Sequence, residues 1–265
     1  MKNTTLCTVN EGGDCPRSAV LQGLDKNPEV PSGSADAFLA PDQLETLRDL
    51  DACALADAIE TFGVRLLNEG FMSPSIRCVT AQPRPLVGYA ATLKIRSSSP
   101  PLSGKTFPCR TDWLDYLAAL PSPSVLVIED ADERPGLGAL IGVAQIGVLR
   151  ALNCAGVVTN GSVRHLASAQ GAGLYLFAGS ATVSRGYAHV VEFARPIVVG
   201  GLKIQSGDLL HGDAQGVQSI PFEIAGQVPG AAAKLAAWQQ ELAAGCQAPG
   251  FSWASLRAAV RRRAC

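Results

Sequence analysis

Apolar and polar positions alternate along this chain in short blocks, and the blocks predict a mixed α/β fold. Residues 44–63 carry apolar positions at helical spacing and predict a helix. Residues 87–95 form an apolar run of strand length, and residues 125–128 a second, shorter one. Between them lie a Pro/Ser/Gly-rich loop over 97–110 and a short helix, WLDYLAAL, capped by Thr111 or Asp112 and ended by Pro121. The stretch 135–165 predicts a glycine loop, a buried helix, a short strand and a tight turn at Asn160-Gly161. A helix at 166–170, a strand at 174–178 and short glycine-separated runs over 190–220 follow. Alternating strands and helices followed by a strand-rich segment predict a layered α/β sandwich.

Both ends differ from this middle. Residues 1–40 are polar and rich in Gly, Pro and Ser, and read as an extension outside the core. Residues 41–228 form the expected domain. Residues 229–265 predict two helices, the first stopped at Gly245, the second capped by Ser252 and ending in Arg261, Arg262 and Arg263. Cations suit the last turn of a helix, so this basic run needs no nucleic-acid partner.

Composition narrows the class. The 265 residues are 47% hydrophobic with a net charge of −1, enough apolar material for a sizeable core and no general attraction for nucleic acid. The longest apolar stretch, 138–152, is interrupted by Gly, Gln and Arg and is too short for a membrane span. The first residues lack the apolar centre of a signal peptide, so the expectation is a cytoplasmic protein. The eight cysteines are scattered with no CxxC spacing, which points to reduced thiols, with Cys53 and Cys154 as small core residues.

The candidate chemistry sits in 135–165. Gly136, Gly138 and Gly142 stand where a loop enters a helix, and Gly138, Ala139, Leu140, Ile141 and Gly142 are the expected substrate-binding run. Glycines let backbone N–H groups approach a ligand, and the first turn of a helix favours an anion. Arg164 is expected to face this loop and to grip a carboxylate with two hydrogen bonds. His165 follows it directly and is an acid–base candidate near neutral pH. Arg185 and His189 are further possible site residues, with a structural role as the favoured alternative for His189 and for His211. Asp130, Asp132 and Glu133 are candidate metal donors, with a surface acidic run as the favoured alternative.

VTNGSVR, YLFAGSATVSRGYAHVVEF and VGGLKIQSGDLLHGDAQGVQSIP, together with LDACALADAIETFG and VGYAATLKI, resemble the RraA-like family over about residues 47–231. That family includes the regulator of ribonuclease activity A and the class II aldolases that cleave 4-hydroxy-4-methyl-2-oxoglutarate. The resemblance implies a layered α/β/β sandwich related to swivelling phosphohistidine domains. It also implies a homotrimer or dimer of trimers with the pocket near a subunit boundary. Asp57, in ALADAI, is placed near the family core. Family aldolases use an acidic residue, twenty intervening residues and then Arg-Asp. The Arg binds the pyruvyl end of the substrate, and the carboxylates hold Mg²⁺ or Mn²⁺, which stabilises an enolate. Here Arg164 matches the Arg, but Val143 and His165 occupy the two acidic positions, so no cofactor is expected. The resulting expectation is an enzyme acting on a small anionic oxo-acid or carboxylate with chemistry changed from metal-dependent cleavage. The alternative is a non-catalytic binder like the ribonuclease regulator.

Overall fold

The computed structural model describes residues 38–80, 82–101 and 112–261. The expectations for residues 1–37, most of the loop 97–110, Thr111, Arg262 and Arg263 lie outside them. The architecture is built on an eight-stranded, curled, mixed sheet. Its centre is four parallel strands in the order β5 (Tyr175–Ala181), β4 (Cys154–Val163), β3 (Ser124–Asp130) and β2 (Leu86–Arg96). The short β1 (Arg77–Cys78) pairs antiparallel with β5 at one edge.

The eleven-residue β2 is the fork of the fold. One edge runs along β3 from Tyr89 to Ile95. Its other edge is shared: β9 (Leu209–Asp213) takes positions 86–89, and β6 (His189–Phe193) takes 93–96. Beyond β9, β10 (Gly216–Ile220) continues the sheet, while β7 (Ile197–Val199) and β8 (Leu202–Ile204) form a separate hairpin.

Successive residues of a strand point to opposite faces, so β2 supplies three apolar clusters. Leu86 and Ala90 join Val127, Phe177 and Leu210 in a core closed by the β7–β8 hairpin. Val87 and Tyr89 meet α1 (Pro41–Arg48), α2 (Ala52–Glu60) and the start of α6 (Val228–Gln247). Ala91, Leu93 and Ile95 meet α3 (Asp112–Ala119), α4 (Val143–Ala151) and α5 (Leu166–Gly171). Helices, curled sheet and hairpin are thus layered as an α/β/β sandwich.

Several expectations change. The helix expected over 44–63 is two helices, because Asp51 caps α2 through the Ala54 N–H (2.8 Å). That second start is tied to the sheet: the Ala52 N–H donates to Asp213 (2.8 Å), Gln218 donates to the Ala52 carbonyl (2.6 Å), and His211 Nε2 donates to the Leu50 carbonyl (2.9 Å). Cys53 and Asp57 are exposed on α2, whereas Cys154 is buried. The helix α4, expected to be buried, exposes Val143 and Val148 and buries only Ile146 and Leu149.

At the ends, Phe38 packs edge-on against Tyr89 and the Leu39 N–H donates to the Tyr89 hydroxyl. Helix α6 runs through Gly245, and its first turns, with Val228 and Ala232, belong to the core. Helix α7 (Trp253–Arg261) is capped by Ser252 and buries no residue. Among the described residues, no helix is long and apolar enough to cross a membrane.

Two stability predictions follow from this packing. Phe177 is fully buried between sheet and hairpin. Urea unfolding of Phe177→Ala will show a loss of about 3–5 kcal/mol, whereas the exposed Val183→Ala will stay within about 0.5 kcal/mol. Burial holds the His211 pKa below the ordinary value, against the opposing pull of the Leu50 carbonyl, Asp213 and Asp51. The unfolded chain therefore takes up the proton first as pH falls. The stability tied to neutral His211 is present above about pH 6.5 and is lost as pH falls through the lower folded value. Between pH 7.5 and 5.5 the urea midpoint will fall, and His211→Gln will flatten that slope.

Candidate functional site

The parallel strands β3, β4 and β5 end side by side, and the segments leaving them meet there. In open α/β sheets, ligands bind outside the carboxyl ends of such strands. The loop 131–142 leaves β3 at this end, and Arg164 and His165 leave β4.

Asp130, the last residue of β3, is 2% exposed, which corrects its assignment to a surface acidic run. Its carboxylate accepts from the Gly136 N–H (2.8 Å), the Ser97 hydroxyl (3.2 Å) and the Asp132 N–H (3.2 Å). Burial pushes its pKa up, against the pull of the Gly136 and Asp132 N–H groups. Asp132 instead caps the Ser97 and Ser98 N–H groups at 2.7 and 2.8 Å. Burial raises its pKa too, but these donors leave it below the ordinary range. Glu133 is exposed.

Asn160-Gly161 is not a turn. Both residues lie within β4, where its pairing with β5 slips between Thr159 and Ser162. Asn160 accepts from the Asp130 N–H (2.7 Å) and donates to the Asp130 carbonyl (3.0 Å), bridging β3 where the ladder is broken. A Cβ on Gly161 would stand 3.0 Å from that of Asp130, so only glycine fits the bulge without displacement. Beyond it, Ser162 donates to the Gly136 carbonyl (2.5 Å) and pairs with Ser180 (2.6 Å).

The glycine loop is therefore held from inside the protein. The Gly138 N–H goes to Ser97 (3.2 Å), the Ala139 N–H to the Ser184 carbonyl (3.2 Å) and the Gly142 N–H to the Gln145 side chain (3.1 Å). Ala139 and Ile141 are core residues, and Leu140 is half-buried. Of the run expected to bind substrate, the N–H groups of Gly138, Ala139 and Gly142 are thus engaged within the protein. Gly138 serves close packing, since a Cβ there would lie 2.3 Å from the Arg185 carbonyl.

Gly142 is different. It caps α4, and the first i→i−4 bond of that helix is Ile146 N–H to the Gly142 carbonyl. The N–H groups of Val143, Ala144 and Gln145 precede that bond and form the positive end of the helix. A Cβ on Gly142 would lie 3.2 Å from Arg164 Nη2 and 3.2 Å from Gln145 Oε1, so the guanidinium sits against the helix start. Arg164 is half-buried, and its Nε is fully buried with no hydrogen-bond partner among the described residues. His165 caps the six-residue α5 in the left-handed conformation (φ 57°), with its side chain exposed and making no capping bond.

The remaining candidates lie beside this point. Arg185 and His189 line a groove along α4 with Leu140 and Gln145. His189 Nδ1 is 2.7 Å from the Tyr187 carbonyl, which places the ring proton on that nitrogen. His211 lies away from the site, in the core under α2. The first-turn donors of α4 stand where the sequence placed them, whereas Gln145 was not among the expected residues; the Gly142-xx-Gln145 spacing, in which the third residue reaches back to the cap, was the available signal. Among the described residues, no three His, Cys, Asp or Glu side chains gather as a metal site would require.

Comparison with known proteins agrees with this architecture. The model of the RraA-like family, described as Aldolase/RraA, matches residues 52–218. A protein of Halalkalibacterium halodurans, provisionally named 4-hydroxy-4-methyl-2-oxoglutarate aldolase, is 26% identical over 150 residues, covering 54% of this chain and 71% of that protein. An uncharacterized protein of Pseudomonas syringae pv. tomato superposes with a TM-score of 0.64 at 21% identity, over 83% of this chain and 94% of the other. Streptomyces coelicolor RraAS2, described as an unusual member of the RNase ES inhibitor RraA protein family, superposes at 0.62 and 16% identity, over 77% and 97%. The two structures share the fold, and the family model spans most of the described sheet: this chain belongs to the RraA-like family.

Proposed function

We propose that this chain binds a small oxo-acid or carboxylate anion between Arg164 and the start of α4, and acts on it as a lyase or as a descendant with changed chemistry. The observation that carries this reading is the buried Arg164 Nε without a partner among the described residues. A buried N–H costs stability unless it is bonded, more so when charged. A carboxylate in front of the guanidinium satisfies it, with the α4 N–H groups as a second set of donors. The aldolase name of the Halalkalibacterium halodurans relative supports an oxo-acid as the ligand.

The divalent cation implied by the family does not fit these residues. Val143 opens α4 with an apolar side chain that is 53% exposed, where the aldolases have a carboxylate. An imidazole at 165 is a poor substitute for a hard oxygen donor toward Mg²⁺ or Mn²⁺. His165 is instead the group that moves a proton to or from a ligand held at Arg164. A left-handed backbone at a residue other than glycine is costly and recurs at functional sites. A non-catalytic binder is the second reading, favoured by the same two replaced acidic positions.

Leu137 in the glycine loop, Val143 at the start of α4, Val183 after β5 and Tyr187 on the groove wall are exposed, and a partner subunit covering them completes the proposal as a homotrimer or dimer of trimers. Light scattering at micromolar concentration will give three or six times the chain mass; a monomer would remove this element.

The anion site is tested by calorimetry with pyruvate. Arg164→Ala will weaken binding about tenfold to hundredfold, the loss of a charged hydrogen bond worth about 1.5–3 kcal/mol. Arg164→Lys will recover only part of it, and added Mg²⁺ or Mn²⁺ will leave the wild-type affinity unchanged. Equal affinities in wild type and Arg164→Ala would place the site elsewhere. In a screen of 2-oxo acids, His165→Asn will cut turnover far more than binding; absence of turnover in the wild type would favour the binder.

A further inference from the structure

We infer that the anion held at Arg164 carries an apolar tail, aromatic or branched, and that this tail lies in the groove beside α4. The inference rests on the anion site proposed above and names the substrate class of that site. The groove has a volume of about 390 Å³. This is within the range of about 300–1,000 Å³ for small-molecule pockets, and larger than a three-carbon acid needs. Its walls are apolar: Trp113 and Leu114 from α3, Leu140 from the loop, Val148 from α4 and Val190 from β6.

Two observations tie this groove to the anion site. Gln145 lines the groove and is also the residue that reaches back to Gly142. A Cβ on Gly142 would touch both the Gln145 amide and the Arg164 guanidinium at 3.2 Å, so Gly142 puts no side chain of its own between the groove residue and the cation. Ala144 and Val148, one turn apart on α4, are both exposed and both face the groove. A ligand with its carboxylate at Arg164 therefore has an apolar wall running away from it along α4.

The same walls argue against a second charge on the tail. A carboxylate against Trp113, Leu140 and Val148 loses hydration without regaining hydrogen bonds. Two polar groups also line the groove: Arg185 already has an interaction of its own within the protein, and His189 has its Nδ1–H engaged by the Tyr187 carbonyl. The ligand class is thus a monoanionic 2-oxo acid or carboxylate with a hydrocarbon tail.

The test is calorimetric titration of the full chain with pyruvate, 4-methyl-2-oxopentanoate, phenylpyruvate and oxaloacetate. Affinity will rise in the order pyruvate, 4-methyl-2-oxopentanoate, phenylpyruvate, by about fourfold per buried methylene. Ala144→Phe and Val148→Asn, both at exposed positions and checked by circular dichroism, will shrink the phenylpyruvate-to-pyruvate ratio toward one. Equal affinities for the three monoacids, all weakened by Arg164→Ala, would overturn the tail and leave the anion site standing. A preference for oxaloacetate would overturn it too. Failure of every acid to bind would remove the anion site and this inference with it. A changed mass of Val148→Asn in light scattering, with the ligand ratio unaltered, would make the groove a contact between copies and overturn the proposal.

Discussion

The buried carboxylate of Asp130 is the constraint on which the candidate site depends. It closes β3 and gathers the Gly136 N–H, the Ser97 hydroxyl and the Asp132 N–H around itself. Its own backbone is clamped by Asn160 on β4. One residue thereby fixes the glycine loop, the end of β2 and the bulge of β4 in a single register. A buried charge is tolerated only with such a set of donors, and the donors are in turn held in place by it. The loop that precedes α4 is therefore rigid for a reason internal to the protein, and the start of α4 is delivered to Arg164 already oriented.

That arrangement separates two kinds of glycine. Gly136, with φ +99°, and Gly138, pressed on the Arg185 carbonyl, serve the clamp. Gly142 has ordinary extended backbone, and its missing side chain leaves room for Arg164 and Gln145. The first group shapes the loop and the second opens the site. Neither Val143 nor His165 takes part in the Asp130 network, so this scaffold does not depend on the side chains at those two positions.

The fork of β2 explains where the site stands relative to the rest. Pairing with β9 at one end and β6 at the other lets a single strand face three apolar clusters. It also brings the segment 185–190 onto the α3–α4 side, beside the loop. The groove is the space left between that segment and α4, so it arises from strand pairing far apart in sequence rather than from any local motif.

The sequence by itself determined the fold class, the family and most elements of the parallel sheet. Their apolar runs have strand and helix periods, and the family match spans residues 52–218. It also placed Arg164 and the start of α4 in one stretch. It could not determine that Asn160-Gly161 is a bulge, because Asn-Gly suits a turn equally well and only pairing with β3 and β5 selects the strand. It could not show that Asp130 is buried, since an acidic run looks the same in solvent or under a loop until Ser97, thirty-three residues earlier, supplies the donor. Nor could it show which loop N–H groups are already bonded, or that Gln145 joins groove and cation. Those are contacts between segments distant along the chain, and burial in the tertiary structure alone decided them.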